Sequence, residues 1–230
     1  METHGPRFDL SANHFSVDQK QDKSFKRDFY DDAILNFDNK VKEVANFLKQ
    51  KNLFDNTILV ITTDHGTRWS SNKRLPLIIK FPYSRHSGLT SGNTQRADIP
   101  PTILDYLGAE IPQWMDGDSL ISGNIDKKRV IYSATSAENH MDENGDWRII
   151  DYSPPFYALG KLAIIQCQQW IQLDLISKKL ETSEIENHTS PCVAEDLLSQ
   201  EQAYELIVEH LMDADYDMSG FTKKEVLFGQ

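Results

Sequence analysis

Apolar residues recur along this chain with two distinct periods. A step of three or four residues, typical of a helix with one apolar face, runs through 24–51, 100–107 and 200–212. Apolar runs rich in β-branched residues, or apolar and polar residues in alternation, predict strands at 57–63, 75–81, 130–134, 161–166 and 170–175. The first 23 residues follow neither period, so we predict an irregular segment there.

Single residues mark the ends of two of these helices. Asn52 tolerates the left-handed turn that ends a helix, so the first helix should stop there. Gly108 is expected to end the second helix for the same reason. Asp98 precedes two prolines and is the predicted N-cap of that second helix.

The order of these elements predicts an α/β fold: a layered, mostly parallel sheet with flanking helices and a small C-terminal α+β unit. The sheet would contain the strands at 57–63, 75–81 and 130–134, and the helices at 24–51 and 100–107 would pack against it. A polar stretch ending in Pro154-Pro155 separates the two parts. We therefore predict a core in residues 1–135 and a C-terminal subdomain, with an antiparallel strand pair and a helix, in 136–230.

Composition narrows the classes of partner. The 230 residues are enough for one large domain with a sizeable core. With 35 acidic and 24 basic residues the net charge is -11, which argues against nucleic acid and against an anionic membrane surface. Because no apolar run reaches about eighteen residues, we predict a soluble chain without a membrane segment.

A carboxylate and an imidazole follow the first predicted strand. The apolar run Ile58-Leu59-Val60-Ile61 leads into Thr63-Asp64-His65-Gly66. In open α/β sheets the crevice at the carboxyl ends of the strands binds ligands, and an oxygen donor beside an imidazole suits a divalent metal ion. A turn with a satisfied histidine is the alternative interpretation.

An ordered set of motifs around this pair resembles the sulfatase branch of the alkaline phosphatase superfamily. The set covers about residues 28 to 121 and comprises Tyr30-Asp31-Asp32-Ala33-Ile34, Phe37-Asp38-Asn39-Lys40-Val41, Asp55-Asn56-Thr57-Ile58, Thr63-Asp64-His65-Gly66, Leu75-Pro76-Leu77-Ile78-Ile79, Ala97-Asp98-Ile99-Pro100-Pro101-Thr102 and Gly117-Asp118-Ser119-Leu120. Thr3-His4-Gly5-Pro6 also resembles the segment that lines the substrate pocket in these enzymes. The resemblance implies an alkaline phosphatase/sulfatase-like core, of which residues 1–135 would be the C-terminal half.

The resemblance assigns roles to the pair and to one histidine. Asp64 and His65 match the family's metal-ligand pair, which implies one divalent ion (Ca, Mn, Mg or Zn) as the cofactor of the complete enzyme. Such an ion activates the nucleophile and neutralises the ester oxygens. His4 matches a histidine that contacts the anionic head of the substrate in the phosphoglycerol- and phosphoethanolamine-transferring relatives.

Three cations are further candidates for binding the ester anion. Lys73 and Arg74 lie where sulfatases often place a cation before the next strand, and Arg68 closely follows the metal pair. A guanidinium would bind the anion through a bidentate fork and an ammonium as a point charge. The loop is shorter than is usual in the family, so a solvated entrance to the strand is the alternative.

No residue matches the family's nucleophile. Cys167 is followed by Gln-Gln-Trp and Cys192 by Val-Ala-Glu, and neither fits the Cys-x-Pro-Ser-Arg type of motif. The two cysteines could pair or stay reduced, because their spacing matches no zinc ribbon or redox motif. The remaining acidic metal ligands also belong to the family's first half. We therefore expect a C-terminal portion of a longer enzyme, with no turnover by this chain alone.

The other histidines favour one metal ion over two. Relatives that hold two zinc ions need further histidines near the Asp-His pair, and none lies between His65 and His86. We predict that His86 faces solvent and that His140 and His188 lie at the surface.

The resemblance thus predicts part of a metal-dependent hydrolase of sulfate or phosphate esters, with a small anionic ester as its ligand. A fragment of a phosphoglycerol- or phosphoethanolamine-type headgroup transferase is one alternative, and a non-catalytic relative that binds an anion or a partner protein is another. A core without its first half would expose a sheet edge, so we also expect self-association. The residues themselves do not indicate a cellular compartment, but we expect the parent protein to be periplasmic or membrane-attached.

Overall fold

The computed structural model describes residues 14–15, 23–65, 71–123, 125–136, 140–141, 147–148, 154–185, 192–223 and 226–228. Its helices are α1 (Lys23–Gln50), α2 (Ile99–Tyr106) and α3 (Gln200–Asp213). Its strands are β1 (Leu59–Thr62), β2 (Leu77–Lys80), β3 (Val130–Ser136), β4 (His140–Met141), β5 (Trp147–Arg148), β6 (Leu159–Gln166), β7 (Gln169–Asp174), β8 (Lys179–Glu184) and β9 (Leu227–Phe228). The predicted helices and strands all occur, with ends shifted by one or two residues, and the sequence pattern missed β4, β5, β8 and β9.

The chain divides into two compact units. One comprises Met1–Val60 and Ile79–Ser87, and the other comprises Ile61–Ile78 and Gly88–Gln230. The division at residue 135 was drawn from the family resemblance and the polar stretch, and it stays a prediction.

In the first unit, α1 ends where the sequence predicts. Asn52 has φ 56°, and the Leu53 N–H donates to the Leu48 carbonyl at 2.8 Å. The apolar face predicted for this helix is only partly covered, since Ala33 is buried whereas Ile34 is 65% exposed. After the helix, Lys80 Nζ donates to the Thr57 carbonyl at 3.2 Å, which ties the start of the first strand region to β2.

The largest sheet belongs to the second unit and is mainly antiparallel. Its strand order is β3-β6-β7-β8-β9, and every neighbouring pair except β8 with β9 is antiparallel. The prediction that the strand at 130–134 joins the strands at 57–63 and 75–81 was therefore wrong. β1 and β2 form a separate two-stranded sheet. An apolar run predicts a buried strand, but its partner is set by tertiary packing, here of Tyr132 opposite Ile164.

The hairpin between β6 and β7 is closed by two residues without a common turn signal. Gln166 pairs with Gln169, and Cys167 between them has φ 55°, a conformation that favours glycine or asparagine. Cys167 forms a disulfide with Cys192, 25 residues further along the chain. The two cysteines are therefore paired, and neither is available as a nucleophile.

The hydrophobic core of this unit lies between the antiparallel sheet and α3. The helix begins with a capping box, in which Ser199 accepts from the Gln202 N–H and Gln202 accepts from the Ser199 N–H. The helical period predicts Ala203, Leu206, Ile207 and Leu211 as its inner residues. Ala203, Ile207 and Leu211 are at most 1% exposed, whereas Leu206 is half-buried. These three buried residues pack on Leu162, Ile164, Ile171, Leu173 and Leu180 of the sheet. Within the described residues, no helix combines the length and the apolar character that crossing a membrane requires.

Candidate functional site

The predicted metal-ligand pair lies just beyond β1. The Asp64 carboxylate accepts from the His65 backbone N–H at 2.9 Å and from the Thr63 hydroxyl at 3.3 Å, both through Oδ1. The other carboxylate oxygen, Oδ2, lies 3.5 Å from His65 Nε2. Local hydrogen bonds thus hold the two donor atoms on the same side of the turn.

This donor pair fits a divalent ion as part of a larger ligand set. The Asp64 side chain is 73% exposed and that of His65 30% exposed, so both can reach a ligand. Desolvation raises the pKa of Asp64, but the backbone hydrogen bonds, the His65 charge and the Thr63 hydroxyl together outweigh it and leave the pKa below its usual value. The carboxylate is therefore ionised at neutral pH. No cluster of three or more His, Cys, Asp or Glu ligands occurs in the described part of the chain.

A cavity of about 450 Å³ begins at the end of β1, in the second unit. Thr62, the last residue of β1, lines it, and Asp64 is two residues further on, at most about 7 Å away along the backbone. Isoleucines from three segments, Ile131, Ile165 and Ile185, form apolar lining. A volume of this size is typical of sites for small molecules.

The charge of this cavity is opposite to that of the whole protein. Its lining contains Lys73, Arg74 and Arg96 and, among the residues that the structure describes, neither an aspartate nor a glutamate. The net charge of the chain is -11, so a lining with three cations and no carboxylate is a pronounced local departure. Such a cavity attracts anions.

Two of these cations, Lys73 and Arg74, were predicted to bind the substrate anion. They lie in the segment that leads into β2, next to Ser71. The Trp170 indole N–H donates to the Ser71 hydroxyl at 2.9 Å, which fixes the start of this segment against β7. The structure therefore brings both cations to one cavity, where Lys73 is half-buried and Arg74 is exposed.

The second cationic segment of the lining, Asn93–Ala97, is held by a buried ion pair. Arg129 donates to both Asp98 oxygens at 2.8 and 2.7 Å, and Arg129 Nη1 also lies 3.5 Å from the Asn93 carbonyl. Asp98 accepts in addition from the Gln95 N–H at 2.8 Å and is 0% exposed. The hydrogen bond to Asp98 raises the pKa of Arg129, and burial offsets part of that rise.

This arrangement corrects the role predicted for Asp98. The Asp98 side chain makes no capping hydrogen bond to α2. Its carboxylate is turned toward Arg129 and the loop instead, because a guanidinium with two hydrogen bonds is a stronger partner than a backbone N–H. The predicted end of α2 is confirmed, since Gly108 has φ 69°.

A close backbone approach completes the support of this segment. A Cβ atom at Gly117 would lie 1.9 Å from the Ala97 carbonyl oxygen, so the two segments can meet only because residue 117 is glycine. The neighbouring Asp118 N–H donates to Asp98 at 3.0 Å, and the Asp118 carboxylate lies 2.9 Å from Arg129 Nε. The segment that carries Arg96 is thus fixed by the residues behind it.

Tyr132 contributes an aromatic ring to the cavity lining. Its ring stacks on that of His210 from α3, with centroids 3.7 Å apart and planes 7° apart. Burial raises the pKa of Tyr132, and the negative charges of Glu209 and Asp213 raise it further. The hydroxyl therefore keeps its proton at neutral pH.

Of the other predicted residues, His4, Arg68 and His188 lie outside the described residues, as does the side chain of His140. His86 is exposed, as predicted, and its ring contacts Phe81 edge-on at 5.1 Å. Arg96 and Asn93 were not predicted as site residues, because the Ser- and Gly-rich composition of 83–96 is that of an ordinary loop. The adjoining Ala97-Asp98 motif was the signal that could have placed them near the site.

Comparisons with known proteins find sulfatases. The sulfatase family model matches residues 1–109. An N-acetylglucosamine-6-O-sulfatase of Bacteroides thetaiotaomicron is 30% identical over 133 residues, 52% of this chain and 22% of that protein. Arylsulfatase K of Canis lupus familiaris is 30% identical over 164 residues, 59% of this chain and 31% of that protein. This chain thus spans less than a third of the length of these two relatives.

The fold comparison extends over most of the chain. A solved structure of a protein in complex with its substrate, D-glucosamine-2-N,6-O-disulfate, matches 84% of this chain and 41% of that one, with a TM-score of 0.53 at 20% identity. The likeness confirms the predicted α/β fold class. Together with the sequence matches, it shows that this chain is similar to sulfatases, whose family model matches its first 109 residues.

Proposed function

We propose that this chain supplies a metal-ligand pair and the anion-binding wall of a metal-dependent enzyme that hydrolyses sulfate esters. The cavity carries this proposal, since it combines three cations, no carboxylate among its described lining residues and an apolar isoleucine surface. A sulfate monoester has one singly charged anionic group on an otherwise less polar body. The cationic part of the lining suits the sulfate, and the apolar part suits the body.

The cations and the Asp-His pair would have different roles in this site. Lys73 and Arg74 would bind the sulfate oxygens, Arg74 through two parallel hydrogen bonds and Lys73 as a point charge. Asp64 and His65 would hold a divalent ion with ligands from elsewhere in the enzyme, and that ion supplies Lewis-acid stabilisation of the ester. This chain would therefore orient the substrate, and the nucleophile would come from another part of the enzyme.

Sugar binding tests the anion site without requiring turnover. The purified chain is titrated calorimetrically with N-acetylglucosamine 6-sulfate and with unsulfated N-acetylglucosamine. We expect at least tenfold tighter binding of the sulfated sugar. Arg74→Gln removes the charge and at least one of the two hydrogen bonds, so that affinity should fall by about tenfold or more. Arg85→Gln removes an exposed arginine outside the cavity and should change nothing. Equal affinity for both sugars would contradict the proposal.

Paramagnetic manganese tests the metal pair. Mn²⁺ added to the isotopically labelled chain should broaden the amide signals of residues 63–65 selectively, even at the weak affinity expected of two ligands. The double variant Asp64→Asn/His65→Ala should lose this effect, whereas Asp55→Asn/His86→Ala, which changes two exposed residues of the same types, should keep it. Selective broadening that survives in the first variant, or none in the unmodified chain, would refute the metal assignment.

The disulfide supports an oxidising compartment for the parent protein. Structural disulfides form in secreted and periplasmic proteins and are rare where glutathione keeps thiols reduced. The Cys167–Cys192 bond closes the β6–β7 hairpin onto a segment 25 residues away. We therefore place the parent protein in the periplasm or outside the cell. Thiol titration of the native chain under denaturing conditions should find no free thiol, and two would contradict this placement.

A further inference from the structure

We propose that α1 is a dimerisation helix, through which two copies of this chain associate side by side and in parallel. The partner on the exposed apolar side of α1 is the same helix of a second copy. The cavity and the Asp-His pair take no part in this association, so it is independent of the proposed function. The heptad spacing of α1, the side of the helix that the chain leaves uncovered and the charges beside that side support it.

The apolar residues of α1 include a seam with the spacing of a coiled coil. Steps of four and three residues alternate along this seam, and its six members are Tyr30, Ile34, Phe37, Val41, Val44 and Leu48. A repeat of 3.5 residues keeps a narrow seam facing one partner helix, whereas a helix that covers a sheet needs a wider apolar face. Charged residues border the seam, Asp31 and Asp38 on one side and Lys40 on the other. Apolar heptads with charged flanks are typical of a helix that pairs with another helix.

The chain covers the opposite side of α1 and leaves the seam exposed. Ile34 and Val44 are 65% and 42% exposed. Asp32 is 4% exposed, and its carboxylate accepts from the backbone N–H groups of His14 and Phe15 at 2.7 and 2.9 Å. Because successive residues of a helix are about 100° apart, Asp32 lies about 170° around the helix axis from the middle of the seam. The contacts of α1 with this part of its own chain therefore leave the seam accessible to a second helix.

The charge of α1 is compatible with the approach of a second copy. The helix contains six basic and five acidic residues, whereas the whole chain has a net charge of -11. Two copies of α1 can therefore come together without the long-range repulsion that surfaces with the average charge of the chain would cause.

The residues beside and within the seam favour a parallel pair. In a parallel pair Lys40 lies next to the partner's Ala45, and Asp38 lies next to another alanine of the partner. An antiparallel pair that aligns all six seam residues would instead bring Lys40 next to the partner's Lys40 and Asp38 next to the partner's Asp38, and such like charges repel. Ile34 and Val41 are β-branched and occupy the first position of their heptads, which favours a parallel pair of two helices.

The mass of the chain in solution tests the pair. Sedimentation equilibrium over about a hundredfold range of concentration should show the mass rising from 26.4 kDa toward twice that value. Ile34→Glu/Val44→Glu places carboxylates in the seam, where a pair would bury them without cations, so association should weaken at least about a hundredfold. Both side chains are exposed in the single chain, so the variant should fold. Leu35→Glu/Asn46→Glu adds the same charge to exposed positions of α1 outside the seam and should leave the association unchanged.

A cysteine in the seam tests the parallel orientation and keeps the seam apolar. The native cysteines are joined to each other, so Val44→Cys adds a single free thiol. In the parallel pair this thiol lies opposite its own copy, and oxidation with diamide should link the two chains covalently. In the antiparallel pair the two thiols would be about 15 Å apart along the helix axis, too far for a disulfide. Asn46→Cys, on the outer side of α1, should give no link.

Several results would overturn the proposal: a monomer at every concentration, equal weakening in the seam variant and its matched control, or no covalent dimer in Val44→Cys. Association that survives in Ile34→Glu/Val44→Glu but is lost in Ile78→Lys would assign it to the exposed strand β2 instead and would also overturn the proposal. These measurements use no ligand and no metal, so their outcome leaves the proposed function unaffected. Melts at the lowest concentration, where every variant is a monomer, should agree and confirm that the variants are folded.

Discussion

Replacing Arg129 by methionine should destabilise the second unit more than any surface substitution. The methionine keeps most of the side-chain volume but removes the charge and every hydrogen bond. Asp98, whose side chain is 0% exposed, would then hold a carboxylate in the interior with no cation beside it. Asp118, 60% exposed, would lose its contact at little cost because water can replace it.

The size of the stability loss depends on the hydrogen bonds that Asp98 retains in the variant. Breaking a buried ion pair from one side costs about 3–5 kcal/mol. In the variant, the Gln95 and Asp118 N–H groups still donate to Asp98, at 2.8 and 3.0 Å. Because these bonds stabilise the carboxylate, we expect the loss in free energy of unfolding to be near the lower end of this range, at about 3 kcal/mol. For a unit of this size such a loss lowers the melting temperature by roughly 6–12 °C.

Urea unfolding followed by far-UV circular dichroism measures this loss, with the disulfide kept oxidised. The double variant Asp98→Asn/Arg129→Met should be less destabilised than the sum of its two single variants, because no buried charge is left unpaired. Arg85→Gln, at an exposed arginine, serves as the control. A loss below about 1 kcal/mol in Arg129→Met, the level of an exposed pair, would refute the reasoning.

Three further predictions concern single features of the fold. Gly117→Ala should cost about 1–3 kcal/mol, since its Cβ would lie 1.9 Å from the Ala97 carbonyl; an unchanged melting temperature would argue against that close approach. Replacing Cys167 and Cys192 by serine removes a covalent link across 25 residues and should lower the free energy of unfolding by roughly 3.5 kcal/mol. Urea unfolding measures this loss, and a loss under about 1 kcal/mol would contradict a structural role for the disulfide. Hydrogen bonds from two lysines lower the pKa of Asp196 below its usual 3.8, so its contribution to stability is present above that pH and is lost as the pH falls further. Between pH 2 and 6 the melting temperature of Asp196→Asn should therefore fall less than that of the unmodified chain. An identical pH dependence in the two proteins would contradict the lowered pKa of Asp196.

Local patterns were sufficient to predict the three helices and five of the strands, and to place Asp64 and His65 at the end of a strand. The helical period of 200–212 predicted α3 and, of its four expected inner residues, three that are buried, because packing against one sheet selects one face. Asp64 and His65 could be named because they directly follow a recognisable strand. Lys73 and Arg74 were named from their position before β2, and the structure places both in one cavity.

Long-range partners could not be predicted in this way. The neighbour of β3 in the sheet depends on packing with β6, which begins 23 residues after β3 ends. The link between Asp98 and Arg129 spans 31 residues, and nothing near Asp98 distinguishes it from a helix cap. The cavity is formed by segments that these contacts bring together, so sequence periodicity does not predict it.

The central claim is that the cavity binds a sulfate ester, and a map of the binding site on the chain tests it most directly. The isotopically labelled protein is titrated with N-acetylglucosamine 6-sulfate, and the amide shifts are followed by NMR. We predict shifts in residues 71–77 and 90–97, and none in the exposed middle of α1. Shifts confined to other parts of the chain, or the same shifts with unsulfated N-acetylglucosamine, would contradict the account.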